Sequence, residues 1–116
     1  MENTIDTGKM RNRLREQQKV LSTRIEVERE KAAPRSLANP DRADLAHDYA
    51  LRSRRLSLLE QLEDQLAETE AALERIRKGT YGRCTACGKA ILLERLEALP
   101  SASLCIQCQR KQAAEM

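Results

Sequence analysis

The chain has 116 residues, 21 of them Lys or Arg and 18 Asp or Glu, for a formal net charge of +3. It has no Trp and no Phe, and its only aromatic residues are Tyr49 and Tyr81. This excludes a thick globular core, which aromatic and branched apolar side chains must supply. It also excludes a membrane span, because no stretch approaches the ~20 apolar residues that a bilayer needs. What remains is a chain rich in Ala, Glu, Lys, Leu and Arg, the composition of long helices and coiled coils, with a metal as the expected staple for any small core.

The first nine residues are polar around Gly8 and are expected to be flexible. From Met10 to Ala33 there is no Gly or Pro. Met10, Leu14, Leu21, Ile25 and Ala32 recur at spacings of four and seven, with Val20 and Val27 flanking, which predicts a helix with a narrow apolar stripe. Glu16, Gln17 and Gln18 interrupt that stripe, so its seam is not expected to be dry throughout. Pro34 and Pro40 break the pattern. Asn39 then reads as an N-cap, Pro40 as the first helical residue, and Asp41 and Asp44 as acids of the first turn.

The second helix is predicted to run from about Pro40 to Lys78, a length of roughly 55 Å. Its stripe is Leu45, Tyr49, Leu56, Leu59, Leu62, Leu66, Leu73 and Ile76, with Arg52 and Thr69 in the two gaps. Arg75, Arg77 and Lys78 followed by Gly79 form a stop signal. The fold class expected is mainly α, a long antiparallel two-helix hairpin over 10–78 with its tip at about 34–46. Residues 79–116 would form a small zinc-finger module ending in a helix from about Ile106. Two charge blocks stand out. Lys9, Arg11, Arg13, Arg15 and Lys19 face Glu16 alone over 9–19, and 60–74 carries six acids and no base. The simplest expectation is that the two blocks attract each other across the hairpin.

The four cysteines fall in two pairs, Cys84 with Cys87 and Cys105 with Cys108, separated by seventeen residues. Two such pairs supply four thiolates for one tetrahedral zinc ion at bonds of about 2.3 Å. The first pair precedes Gly88, which suits a tight turn, and the second leads into a helix whose first amides favour negative sulfur. Arg83, Lys89 and Arg110 are placed to offset the charge of the site. A structural zinc is expected rather than a catalytic one, because no open position is implied and the only histidine, His47, is far away in sequence. No enzyme activity is expected. The N-terminus shows no signal peptide, so a cytoplasmic location is expected, where thiols stay reduced and four paired cysteines favour a metal over disulfides.

Several strings resemble the DksA/TraR family of four-cysteine zinc proteins: Leu73-Glu-Arg-Ile76, Gly79-Thr-Tyr-Gly82, the Cys84/Cys87 pair with Gly88, Glu94-Arg-Leu-Glu-Ala-Leu-Pro100, and Leu104-Cys105-Ile106 with Cys108. Asp41, Asp44 and Ala46 match the family's DxxDxA element at the coiled-coil tip. The resemblance implies a regulator that binds bacterial RNA polymerase through its secondary channel, with the tip modulating open-complex stability and initiation. It implies no sequence-specific DNA binding, and a monomer. The basic residues with which such proteins hold guanosine tetraphosphate are replaced here by Gln61, Asp64, Glu68, Leu99 and Gln109, so that nucleotide is not expected to bind in the same way. Two alternatives are a zinc-stapled coiled-coil adaptor and a zinc-ribbon nucleic-acid binder using Arg83, Lys89, Arg110 and Lys111.

Overall fold

The computed structural model describes residues 5–32 and 42–115, apart from the side chains of residues 42–44. Four helices follow in order: α1 (Thr7–Ala32), α2 (Arg42–Lys78), α3 (Leu93–Ala98) and α4 (Ile106–Glu115). The architecture is mainly helical, as the sequence predicts.

Helix α1 starts three residues earlier than Met10, and Asp6 is the reason. Its carboxylate accepts the Lys9 backbone N–H at 3.0 Å and its carbonyl accepts that of Met10 at 3.0 Å, which caps the first turn. Residues 5–9 are therefore not the flexible lead that the composition suggests, and Ile5 packs against the core. Helix α2 ends where the sequence places the end. Thr80 N–H donates to the Arg75 carbonyl at 2.9 Å and Gly79 N–H to that of Ile76 at 3.2 Å. This pairing is a Schellman motif, and it requires the left-handed backbone that Gly79 adopts at φ 79°.

The chain divides into two compact units, and both long helices contribute to each. The first comprises Met1–Gln18 and Ala67–Met116, the second Lys19–Leu66. In the second unit Leu21, Ile25 and Ala32 of α1 are buried with Leu59 and Leu62 of α2, and Leu58 and Leu66 pack against them. The helices run antiparallel there. Arg29 pairs with Glu63 at 3.0 Å, while Arg55, earlier in α2, donates to the Lys31 carbonyl at 3.0 Å, later in α1. Arg55 thus donates to a carbonyl in the last described turn of α1. The α2 stripe is buried only in part. Leu45, Tyr49 and Leu56 are exposed, Tyr49 by 77%.

The first unit buries Met10, Leu14, Ala72, Tyr81, Cys84, Ile91, Leu96, Ala102 and Leu104 in one core. The cysteine-rich segment is therefore not a free-standing finger, since it shares its core with the near ends of both long helices. Helix α3 has no counterpart in the sequence expectations, and it forms to bring Leu96 into this core, where it is fully buried. The expected polar break in the seam is present. Thr69 is buried, and the Gln17 Oε1 atom is buried without a hydrogen-bond partner among the described residues.

These burials set the cost of truncation. Leu14→Ala and Leu62→Ala are each expected to lower unfolding free energy by about 2–5 kcal/mol, whereas Tyr49→Ser should change it by no more than about 0.5 kcal/mol. Urea unfolding followed by helix circular dichroism measures all three, and equal effects at Leu62 and Tyr49 would contradict the burial pattern.

Candidate metal centre

The first cysteine pair lies in a knuckle closed by backbone hydrogen bonds. Cys84 N–H donates to the Lys89 carbonyl at 2.8 Å, and Gly88 N–H returns to the Cys84 carbonyl at 2.9 Å. A single antiparallel bridge between Arg83 and Ala90 and a bond from Ile91 N–H to Gly82 at 2.8 Å hold the base of the turn. The Arg83 guanidinium reaches the Gly88 carbonyl at 3.4 Å. Gly82 adopts φ 89°, a backbone conformation that L side chains rarely adopt, and a Cβ there would also displace the end of the Ile5 side chain.

The second pair opens α4. Cys105 precedes the helix, its carbonyl accepts Gln109 N–H at 2.9 Å, and Cys108 sits one turn in. Thr85 joins the two pairs, donating both its N–H, at 2.8 Å, and its hydroxyl, at 3.2 Å, to the Ser103 carbonyl. Further out, the Tyr81 hydroxyl donates to the Pro100 carbonyl at 2.8 Å, and Arg95 Nε to that of Leu104 at 3.0 Å. These braces fix the strand of chain that leads into Cys105. Spacing in the sequence does not reveal them, since each joins a side chain to a carbonyl nine or more residues away.

The four Sγ atoms lie within 4.8 Å of one another, with Cys84 buried, Cys87 exposed and the other two intermediate. Cys87 and Cys105 approach to 3.8 Å. That is far longer than the ~2.05 Å of a disulfide and close to the ~3.8 Å edge of a tetrahedron with bonds of about 2.3 Å. The surroundings favour negative sulfur unevenly. Backbone N–H groups, that of Cys105 first and then those of Cys87 and Ala86, lower the Cys84 thiol to about 6. The Cys108 N–H likewise lowers Cys105. Cys108 is pushed up to about 12 by its hydrogen bonds to Cys105, Cys84 and Cys87. Four thiolates this close repel one another unless positive charge lies between them. A divalent cation at the centre would supply that charge. Four sulfurs at these separations fit one zinc ion, and a closed four-sulfur set is structural in kind.

Residues 79–112 match the prokaryotic dksA/traR C4-type zinc finger. The solved structure of transcription factor DksA2 from Pseudomonas aeruginosa superposes with a TM-score of 0.77 at 34% identity, covering 94% of this chain and 84% of that one. The chain belongs to the DksA/TraR family. The solution structure of a DnaK suppressor protein from Agrobacterium tumefaciens C58 is also similar, with a TM-score of 0.64 at 30% identity over 96% of this chain and 97% of that one. Among curated relatives, the RNA polymerase-binding transcription factor DksA of Haemophilus influenzae is 36% identical over 69 residues, 60% of this chain. The matched stretch spans 46% of the length of that relative, and 44% of the Escherichia coli one at 33% identity.

Of the other residues singled out from the DksA/TraR resemblance, Asp41 lies outside the described residues. Asp44 falls in the first turn of α2, its side chain outside what is described, and Ala46 is exposed on the same helix. The structure groups the four cysteines. His47 is exposed. Of the arginines at 52, 54 and 55, Arg55 donates to the Lys31 carbonyl of α1.

The centre predicts one zinc per chain, measured by metal analysis after exhaustive dialysis. Replacing zinc by cobalt(II) should give the visible absorption of a tetrahedral thiolate site, and Cys84→Ser should abolish it. Chelation should broaden amide resonances over 80–110 first. Unchanged spectra in the metal-free chain would contradict a zinc-stabilised core.

Proposed function

We propose that this chain is a transcription regulator that binds RNA polymerase, inserting its helical hairpin into the secondary channel so that Asp41 and Asp44, with Ala46 beside them, act near the polymerase active site. The observation that carries this reading is the shared construction. The four-sulfur module and the two long helices match a solved DksA2 over 84% of its length. Curated relatives that share the module are named RNA polymerase-binding transcription factors. Physical reasoning points the same way. Asp44, in the first turn of α2, supplies negative charge that a catalytic metal or a basic cleft would feel.

On this reading the protein acts as a cytoplasmic monomer, and it is a regulator rather than an enzyme. It does not read DNA sequence. Guanosine tetraphosphate does not bind as in relatives with basic residues at the corresponding positions, because Gln61, Asp64, Glu68, Leu99 and Gln109 offer no cation.

The test is the lifetime of open complexes formed by cognate polymerase on a short-lived, ribosomal-type promoter. The protein should shorten it. The Asp41→Asn/Asp44→Asn double variant should bind polymerase yet leave the lifetime unchanged. A variant as active as the parent would remove the acidic tip from the mechanism. No effect of the parent at concentrations of roughly tens of micromolar, above typical micromolar affinities, would remove the polymerase itself.

A further inference from the structure

The basic block at the start of α1 does not do what its charge suggests. Among the described residues, none of Lys9, Arg11, Arg13 and Arg15 forms an ion pair, and all four are exposed. Their spacing is unfavourable to the helix that carries them. Lys9 with Arg13 and Arg11 with Arg15 are like charges at i and i+4, the spacing at which cations repel. They also occupy the N-terminal part of α1, where the helix dipole disfavours positive charge, and its first turn contains no acid beyond the capping Asp6.

Arg11 and Arg15 border a groove of about 350 Å³, together with Gln18 on α1 and Leu73, Glu74 and Ile76 on α2. Leu73 and Ile76 are half-buried and form an apolar floor. On the far wall Glu74 is already engaged by Arg77, Nε to Oε2 at 2.9 Å, and by Lys78 at 3.8 Å, and these contacts lower its pKa. Glu70, also on that wall, is exposed.

We propose that this groove is a docking surface for an acidic, amphipathic segment of a partner protein, whose carboxylates at i and i+4 meet Arg11 and Arg15 while an apolar side chain between them rests on Leu73 and Ile76. Guanidinium groups favour planar carboxylates, which they bind in bidentate fashion. A nucleic-acid backbone fits less well. No aromatic residue lines the groove for a base to stack on. The inference is independent of the polymerase reading, since it rests on charge left unpaired within this chain.

Two measurements on the zinc-loaded, full chain test it. In the first, Arg11→Gln/Arg15→Gln should raise the thermal midpoint by about 2–5 °C by relieving the repulsion. A fall would mean that the arginines are compensated internally, and would overturn the argument. The second uses a helical Ala-based peptide of about 16 residues carrying Glu at i and i+4 around a Leu, compared with its Gln counterpart and with a random duplex of about 20 base pairs. At about 50 mM salt, where exposed charges are weakly screened, the Glu peptide should bind at least about tenfold tighter than the Gln peptide. It should shift the amide resonances of residues 11–18 and 70–77. The double variant should lose that preference, while Arg110→Gln keeps it. Equal binding of the two peptides, absence of binding, or tighter binding of the duplex would each overturn the proposal.

Discussion

Four sulfur atoms within 4.8 Å of one another are the constraint on which the first unit depends. Left alone they cannot all be anionic, and the high value held at Cys108 beside the low one at Cys84 is the electrostatic expression of that conflict. The knuckle, the Thr85–Ser103 tie and the Tyr81–Pro100 brace hold the segments that carry the four thiols. A metal bound there closes the site. It also completes a core, because Cys84 is counted among the same buried residues as Met10 and Leu14 of α1 and Ala72 of α2. Binding free energy at the centre and packing free energy of the helices are coupled through that one side chain.

The two units use different means of cohesion. The second relies on a thin aliphatic seam, Leu21, Ile25 and Ala32 against Leu59 and Leu62, edged by the Arg29–Glu63 pair. That pair is well exposed and contributes little. The seam does the work, helped by Arg55 at the end of α1. The first unit has a broader core and many side-chain-to-carbonyl braces. Gln17, half-buried between Leu14 and Leu21 in the chain, is the polar break in the α1 stripe.

Much of this was legible in the sequence. The 4–7–4–7 spacing from Met10 to Ala32 identified all five residues that α1 buries. Gly79 marked the end of α2, and the paired cysteines gave the metal centre outright. What could not be read depends on tertiary context. The stripe at Leu45, Tyr49 and Leu56 has the right period, yet these three are exposed, and periodicity alone does not say which members of a stripe are buried. Helix α3 is six residues long and owes its existence to the pocket that receives Leu96. Asp6 escaped notice as a cap because Gly8 beside it suggested fraying. The opposite charge of the two blocks implied pairing, but no cation of the 9–19 block forms an ion pair among the described residues.

The scarcity of aromatic residues has an optical consequence. With no tryptophan, the near-ultraviolet signal of the chain comes from two tyrosines, and they fall one in each unit: Tyr81 in the metal-stapled core with its hydroxyl tied to Pro100, and Tyr49 open to solvent on α2. Emission shielded from a soluble quencher reports the first unit, and emission open to it reports the second. The natural sequence thus carries its own pair of labels, able to tell an event at the metal from one on the exposed face of α2.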